Sequence, residues 1–266
     1  MDFKETKEET LRPAIMRGIS LVSAAALSLT LCACSQNAAT NSTRDSNNSN
    51  ATEQTASIST ATIQFTSNND FIDKVEKDVN DTLDSVTQKY DALVAEIGDY
   101  DAYVANYDKV KSFYSETLAT QKETDLRLRE YASAYAQMVV SSSAENKDKY
   151  KDLKDIYDVV YDDAEGDLYK GIYDGAFKDI YDAFYDGVLK DAYNTIPYDE
   201  WYDAKSTAYD DWYSAKSDAY DEWYETKSDV YDFWNDVRSE VLDNDLDRAQ
   251  SKIDKFNESI SKLKSA

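Results

Sequence analysis

The sequence predicts an all-α protein: an elongated bundle of coiled-coil-like helical hairpins that includes one long repeat helix and follows a disordered linker. Three observations predict it. The 266 residues include only six glycines and two prolines, too few for the turns of a strand-rich or loop-rich domain. Apolar residues recur at helical spacings of three, four and seven. Residues 198 to 243 repeat an eleven-residue phrase, first as "YDEWYDAKSTA", that carries all four tryptophans, Trp201, Trp212, Trp223 and Trp234. Eleven residues close about three turns at 3.67 per turn, near the α-helical 3.6, so each tryptophan returns to one side of the helix.

The chain opens on a targeting pattern. Arg17 precedes the apolar run "ISLVSAAALSLTLCA", residues 19 to 33. That run is short for a membrane span and the right length for the core of an export signal. It ends in Leu31-Cys32-Ala33-Cys34, which resembles the lipobox of bacterial lipoproteins. The resemblance implies a signal peptide over residues 1 to 33, cleavage by signal peptidase II before Cys34, and a diacylglycerol on the Cys34 thiol. It thereby implies an outward-facing, lipid-anchored protein of the bacterial cell membrane. The acid-rich opening "MDFKETKEETLRPAI" is unusual for such a signal, and Met16-Arg17-Gly18 offers a more compact start. An ordinary secretory signal with two incidental cysteines is the alternative. Cleavage would remove Cys32 and lipidation would occupy Cys34, leaving neither a disulfide nor thiol chemistry.

Residues 34 to 67, rich in Ser, Thr, Asn and Ala, have little to bury and are expected to form a disordered tether spanning roughly 30 Å. Residues 68 to 147 read as a helical hairpin. Its first helix carries Ile72, Val79, Val86 and Leu93 at heptad spacing, interleaved with Leu83, Tyr90 and Ile97, and Gly98 is the expected C-terminal cap. The second runs from about Tyr100 to Val140, before a loop over residues 141 to 147. From residue 148 to 197 a twelve-residue Tyr-Asp repeat begins at Tyr157, Tyr169 and Tyr181. Apolar residues step by four through it: Val160, Ala164, Leu168, Ile172, Ala176, Ile180, Phe184, Val188. In an α-helix such a stripe advances about 40° per step and winds round the rod. Gly166, Gly171, Gly175 and Gly187 make this the least secure helix, at about 1 kcal/mol each against Ala. Pro197 marks the change of period from twelve to eleven. Residues 244 to 266 form a closing heptad helix, its seam running Leu242, Leu246, Ala249, Ile253, Phe256, Ile260, Leu263.

Projected at 100° per residue, the eleven-residue phrase has an aromatic face and an acidic face. Tyr198, Tyr209, Tyr220 and Tyr231 join the tryptophans, and Lys205, Lys216 and Lys227 lie amid the rings, each four residues after a Trp. That spacing suits cation–π contact and predicts a partly wet seam. Eleven-residue helical repeats also occur in late-embryogenesis-abundant, synuclein-like and apolipoprotein-like chains, but those differ in composition, so only the period is similar. The face is either internal helix packing or a candidate interaction surface.

Several activities fit poorly. Fifty-three acids against 29 bases, a net charge of −24, oppose phosphate contact, so no nucleic-acid partner is expected. Without histidine the usual nucleophile–base pairs are missing, and no Gly-rich phosphate loop appears, so neither an enzyme nor a cofactor is expected. "DNDLD", Asp243 to Asp247, opens like a calcium loop but has Arg248 where glycine is needed and Asp254 where glutamate closes. It reads as a helix start, and no metal site is expected. What remains is a non-enzymatic helical scaffold or adhesion-type interaction protein. The alternative is a lipoprotein using the Tyr/Trp-acidic face to bind envelope polysaccharide or a cationic partner.

Overall fold

The computed structural model describes residues 63 to 265, so the expected signal peptide, Cys34 and most of the expected tether lie outside the described residues. Among the described residues there are helices and turns and no strand. Helix α1 (Asn68–Glu96) starts where Ser67 accepts a hydrogen bond from the Asp70 amide while Asp70 accepts one from the Thr66 amide. This pairing satisfies one otherwise orphaned amide of the first turn and ties down the amide just ahead of the cap. Two short turns follow, α2 (Tyr100–Ala105) capped by Asp99, and Asn106, which interrupts the expected second helix before α3 (Tyr107–Ser141). The body begins earlier than expected. Phe65, assigned above to the tether, is buried edge-on against Phe71 and Tyr131. Gly98 does not supply a left-handed cap either, because no glycine among the described residues has positive φ.

After α4 (Asn146–Asp152) comes the feature that the sequence did not foretell. Residues 156 to 194 form one unbroken helical run in which π-helical segments alternate with single α turns. The π segments are Ile156–Ala164, Tyr169–Ala176 and Tyr181–Val188. The α turns are α5 (Glu165–Leu168), α6 (Phe177–Ile180) and α7 (Leu189–Asp191), and a 3₁₀ turn, Ala192–Asn194, ends the run. The amides of Phe177 and Leu189 reach carbonyls five residues back, and those of Tyr169 and Tyr181 reach four back. π turns usually occur singly; here each extends over eight or nine residues.

The alternation corrects the expectation of a winding stripe. From Val160 to Phe184 every residue of the expected stripe is buried, as is Ile156 one step earlier, whereas Val188 at its end is half-buried and Leu189 is buried instead. Seven steps of four would carry an α-helical stripe about 280° round the axis and out of the core. The stripe stays inside because twelve residues make three turns, so residues four apart stand above one another. The glycines fit that backbone: a Cβ at Gly175 or Gly187 would meet the carbonyl five residues back, at 3.0 or 3.3 Å.

Pro197 then caps α8 (Tyr198–Leu242), a regular 45-residue α-helix. Asn244 at φ 62° turns the chain into α9 (Leu246–Leu263), with Asp245 capping the Arg248 amide. The calcium-like opening thus serves as a helix start. In the closing seam, Ala249, Ile253 and Ile260 are buried and Phe256 stacks on Phe233 at 4.1 Å, whereas Leu242 and Leu263 are exposed. Leu242 ends α8 rather than belonging to α9, which removes it from the seam.

Helix α3 packs against α1, α8 and α9, and the mixed helix packs against α1, α3 and α8. Many of α3's core contacts are polar. Thr82 and Thr124 share a 2.7 Å hydroxyl contact, Gln121 donates to the Ala219 carbonyl, and Arg127 and Tyr131 both donate to Asp78. Among the described glycines the tightest surroundings are at Gly171, where a Cβ would lie 2.4 Å from a Leu83 methyl. Gly171→Ala is therefore expected to cost about 1–3 kcal/mol by overpacking. In urea titrations the double variant with Leu83→Ala should lose less than the sum of the two single losses. Strict additivity would mean that the two helices do not meet there as described.

Candidate interaction face

The tryptophans sit where α8 meets the antiparallel mixed helix, and each pairs with a tyrosine one repeat earlier along that helix. Trp201 meets Tyr193, Trp212 meets Tyr181, Trp223 meets Tyr169 and Trp234 meets Tyr157, with centroids 4.5–4.8 Å apart. The indole nitrogens donate to backbone carbonyls in the same rhythm: Trp201 to Leu189 at 2.6 Å, Trp212 to Phe177 at 2.8 Å and Trp223 to Glu165 at 2.9 Å. Each acceptor is the first residue of an α turn between π segments. A step of eleven along α8 thus answers a step of twelve along its neighbour. Trp234 is the exception. The carbonyl that its rung would use, twelve residues before Glu165, belongs to Leu153, ahead of the π/α alternation, and its buried indole nitrogen has no partner.

The cations follow the same ladder. Lys205, Lys216 and Lys227 lie 5.2–5.3 Å from the rings of Trp201, Trp212 and Trp223, as the spacing predicted. Each lies closer to a tyrosine of the other helix, at 4.1–4.3 Å from Tyr185, Tyr173 and Tyr161. Arg238 does the same against Tyr150 and Trp234. The tyrosines in turn stack in pairs four residues apart, Tyr157 on Tyr161, Tyr169 on Tyr173 and Tyr181 on Tyr185, at 4.5–4.7 Å. Tyrosines four apart also stack along the regular α8, but at 6.1–6.3 Å; the underwound helix sets such residues one above the other and brings the rings closer. Partial burial, and then the neighbouring Tyr185, push the Tyr181 hydroxyl up to about 12, so it stays neutral at ordinary pH.

The candidate face therefore divides. Trp201, Trp212, Trp223 and Trp234 with Lys205, Lys216 and Lys227 are half-buried in an internal seam. Tyr209, Tyr220 and Tyr231 flank it at 40–41 % accessible, and Tyr198, Tyr202, Tyr213 and Tyr224 are more exposed, at 56–60 %. Six of these seven outer tyrosines are followed by an exposed acid: Asp199, Asp203, Asp210, Asp221, Glu225 and Asp232. The sequence also hid a second group. Asp125 and Glu165 are fully buried in the core. Glu165 was detectable in principle, since it stands twelve residues from both Leu153 and Phe177, which with Leu189 are the buried apolar residues of that register. No protein-family model matches the chain, no curated protein is similar to it, and no solved structure matches the body.

The ladder makes a differential prediction. Trp212→Phe removes a hydrogen bond to the Phe177 carbonyl and Trp234→Phe removes none, so Trp212→Phe should be the more destabilising by roughly 0.5–1.5 kcal/mol in chemical denaturation. Equal losses would contradict the rung pattern.

Proposed function

We propose that this chain is a non-enzymatic lipoprotein of the bacterial cell envelope, held to the membrane through Cys34, whose helical body acts as an interaction scaffold. The observation that carries the reading is the outer tyrosine row of α8. Tyr198, Tyr202, Tyr209, Tyr213, Tyr220, Tyr224 and Tyr231 remain exposed although the tryptophans of the same repeats are packed. Rings with a polar tip contribute contact area at low entropic cost and are enriched where proteins meet partners. The row repeats about every 16.5 Å along the helix axis, eleven residues at 1.5 Å each. Such periodic presentation suits an extended partner better than a small molecule. No helix among the described residues is long and apolar enough to cross a membrane, so attachment in this reading rests on the lipid.

The acids beside the exposed rings favour a second reading, a ligand-binding lipoprotein. A cationic partner would meet ring faces and carboxylates together, the chemistry that the chain's own lysines find in the inner seam. An envelope polysaccharide would stack on the rings and donate hydroxyls to the acids.

Two measurements test this. Cys34→Ala should move the protein from the membrane fraction to the soluble fraction in detergent partition, because a diacyl anchor holds far more tightly than a single chain. Continued membrane retention would remove the lipid anchor from the proposal. The triple variant Tyr202→Ser, Tyr213→Ser, Tyr224→Ser keeps the net charge and alters only exposed positions, so its melting midpoint should be close to the wild type. On intact cells it should lose the crosslinked complexes that the wild type forms. Identical complexes in both would sink the scaffold reading, and glycan-array binding by the wild type alone would favour the polysaccharide form of the second.

A further inference from the structure

Asp125 of α3 and Glu165 of α5 are both completely buried, and neither carboxyl has a hydrogen-bond partner. Buried carboxylates are ordinarily paired or bonded, because removing an ion from water costs far more than folding can absorb. Here the potential partners are engaged elsewhere. Arg129, itself buried, donates to Asp229 at 3.0 Å and lies 3.9 Å from Glu222. Lys227 sits among the rings of Tyr161 and Trp223, and Lys122 lies 3.9 Å from Glu222. Gln121 donates to the Ala219 carbonyl and Thr226 to the Glu222 carbonyl; both stand near Asp125, and neither completes a hydrogen bond to it. The polar groups flanking Asp125 on α3 are engaged with α1: Thr124 pairs with the Thr82 hydroxyl, and Arg127 donates to Asp78. The charged groups facing the pair are thus Glu222, Arg129 and Lys227.

We propose that Asp125 and Glu165 are a proton-holding pair in the core, and that the packing of the mixed helix against α3 and α8 at this layer tightens when the pair is protonated and loosens as pH rises. Glu165 is the weak point by design of the repeat. Its register is fully buried in the other rungs, and its own carbonyl receives the Trp223 indole. Deprotonation would place a charge at the rung itself.

The direction of the effect follows from linkage. Burial, and then the negative Glu222, push Asp125 up to about 7. Burial, and then Asp125, hold Glu165 well above the usual carboxylate range. Acids that bind protons more tightly when folded contribute stability that is full below their unfolded value. It is lost as pH climbs through the folded value. The decline should therefore start in mildly acid solution and continue through neutrality and above. The general repulsion of a −24 chain adds a shallow trend of the same sign, which controls must separate.

The test compares the full chain with Asp125→Asn, Glu165→Gln, the double variant and the exposed control Asp162→Asn, each melted between about pH 5 and about pH 9. The wild-type midpoint should fall across this range, with Trp emission moving to the red. Either single variant should flatten the fall and raise the midpoint at the alkaline end, and the double variant should flatten it further. The control should shift the curve without changing its slope. If the core variants fold poorly, infrared spectra of the wild type at neutral pH decide the matter. A protonated, unbonded carboxyl band that vanishes at alkaline pH supports the pair. Its absence at neutral pH, or a double variant with wild-type slope, overturns the proposal.

Discussion

Two antiparallel helices with unequal repeats have to meet rung by rung, and the rest of the body depends on how they do so. Along α8 a tryptophan recurs every eleven residues, and along the mixed helix its tyrosine and carbonyl partners recur every twelve. Two straight α-helices could not keep that correspondence. The helix with the twelve-residue repeat would run ahead by about 1.5 Å per rung, and its apolar stripe would rotate out of contact. Underwinding by π segments solves both problems at once. Twelve residues then complete three turns, as eleven do in α8, and the stripe from Ile156 to Phe184 remains in the core.

The same constraint explains why the inner seam tolerates cations. With tyrosines stacked in pairs along one helix and tryptophans spaced along the other, each interval leaves a slot lined by ring faces. Lys205, Lys216 and Lys227 fill those slots and are half-buried, which a long stem under a charged head allows. The hydroxyl-bearing outer tyrosines are what the packing leaves over, a regular surface fixed in spacing by the interior. A scaffold for extended partners needs that property, and rigid spacing is what a repeat helix locked to a neighbour supplies.

Much of this was legible in the sequence, for identifiable reasons. The all-α class followed from the shortage of Gly and Pro, the boundary at Pro197 from the change of period and the limits proline sets on the residue before it, and α8 from its period. The cation–π spacing of Lys205 to Trp201 is a local, one-helix relation, and it could be read from residue numbers. The partner tyrosines could not, because they come from another helix in a register set by π turns. Assuming 3.6 residues per turn turned a straight stripe into a winding one, although the strict step of four from Val160 to Phe184 already argued for four residues per turn. Phe65, three residues before α1, and Leu242, the last residue of α8, were assigned to the wrong side of an element end, where local pattern carries least information. Asp125 stayed hidden among 53 acids, since only packing distinguishes it from the solvated ones, whereas Glu165 was marked only by its twelve-residue register with Leu153 and Phe177.

Deleting Gly175 tests the matching of periods most directly. The deletion shortens one repeat to eleven residues while removing no side chain. If twelve against eleven is what aligns the helices, thermal unfolding of the deletion variant should begin far lower than that of the wild type, with at least the rungs on one side of residue 175 exposed to acrylamide quenching. Deleting Ser143 from the loop before α4 serves as the control and should be mild. A Gly175 deletion that melts like the Ser143 deletion, with all four tryptophans as shielded as before, would show that the alternation of π and α turns is not what holds the ladder in register.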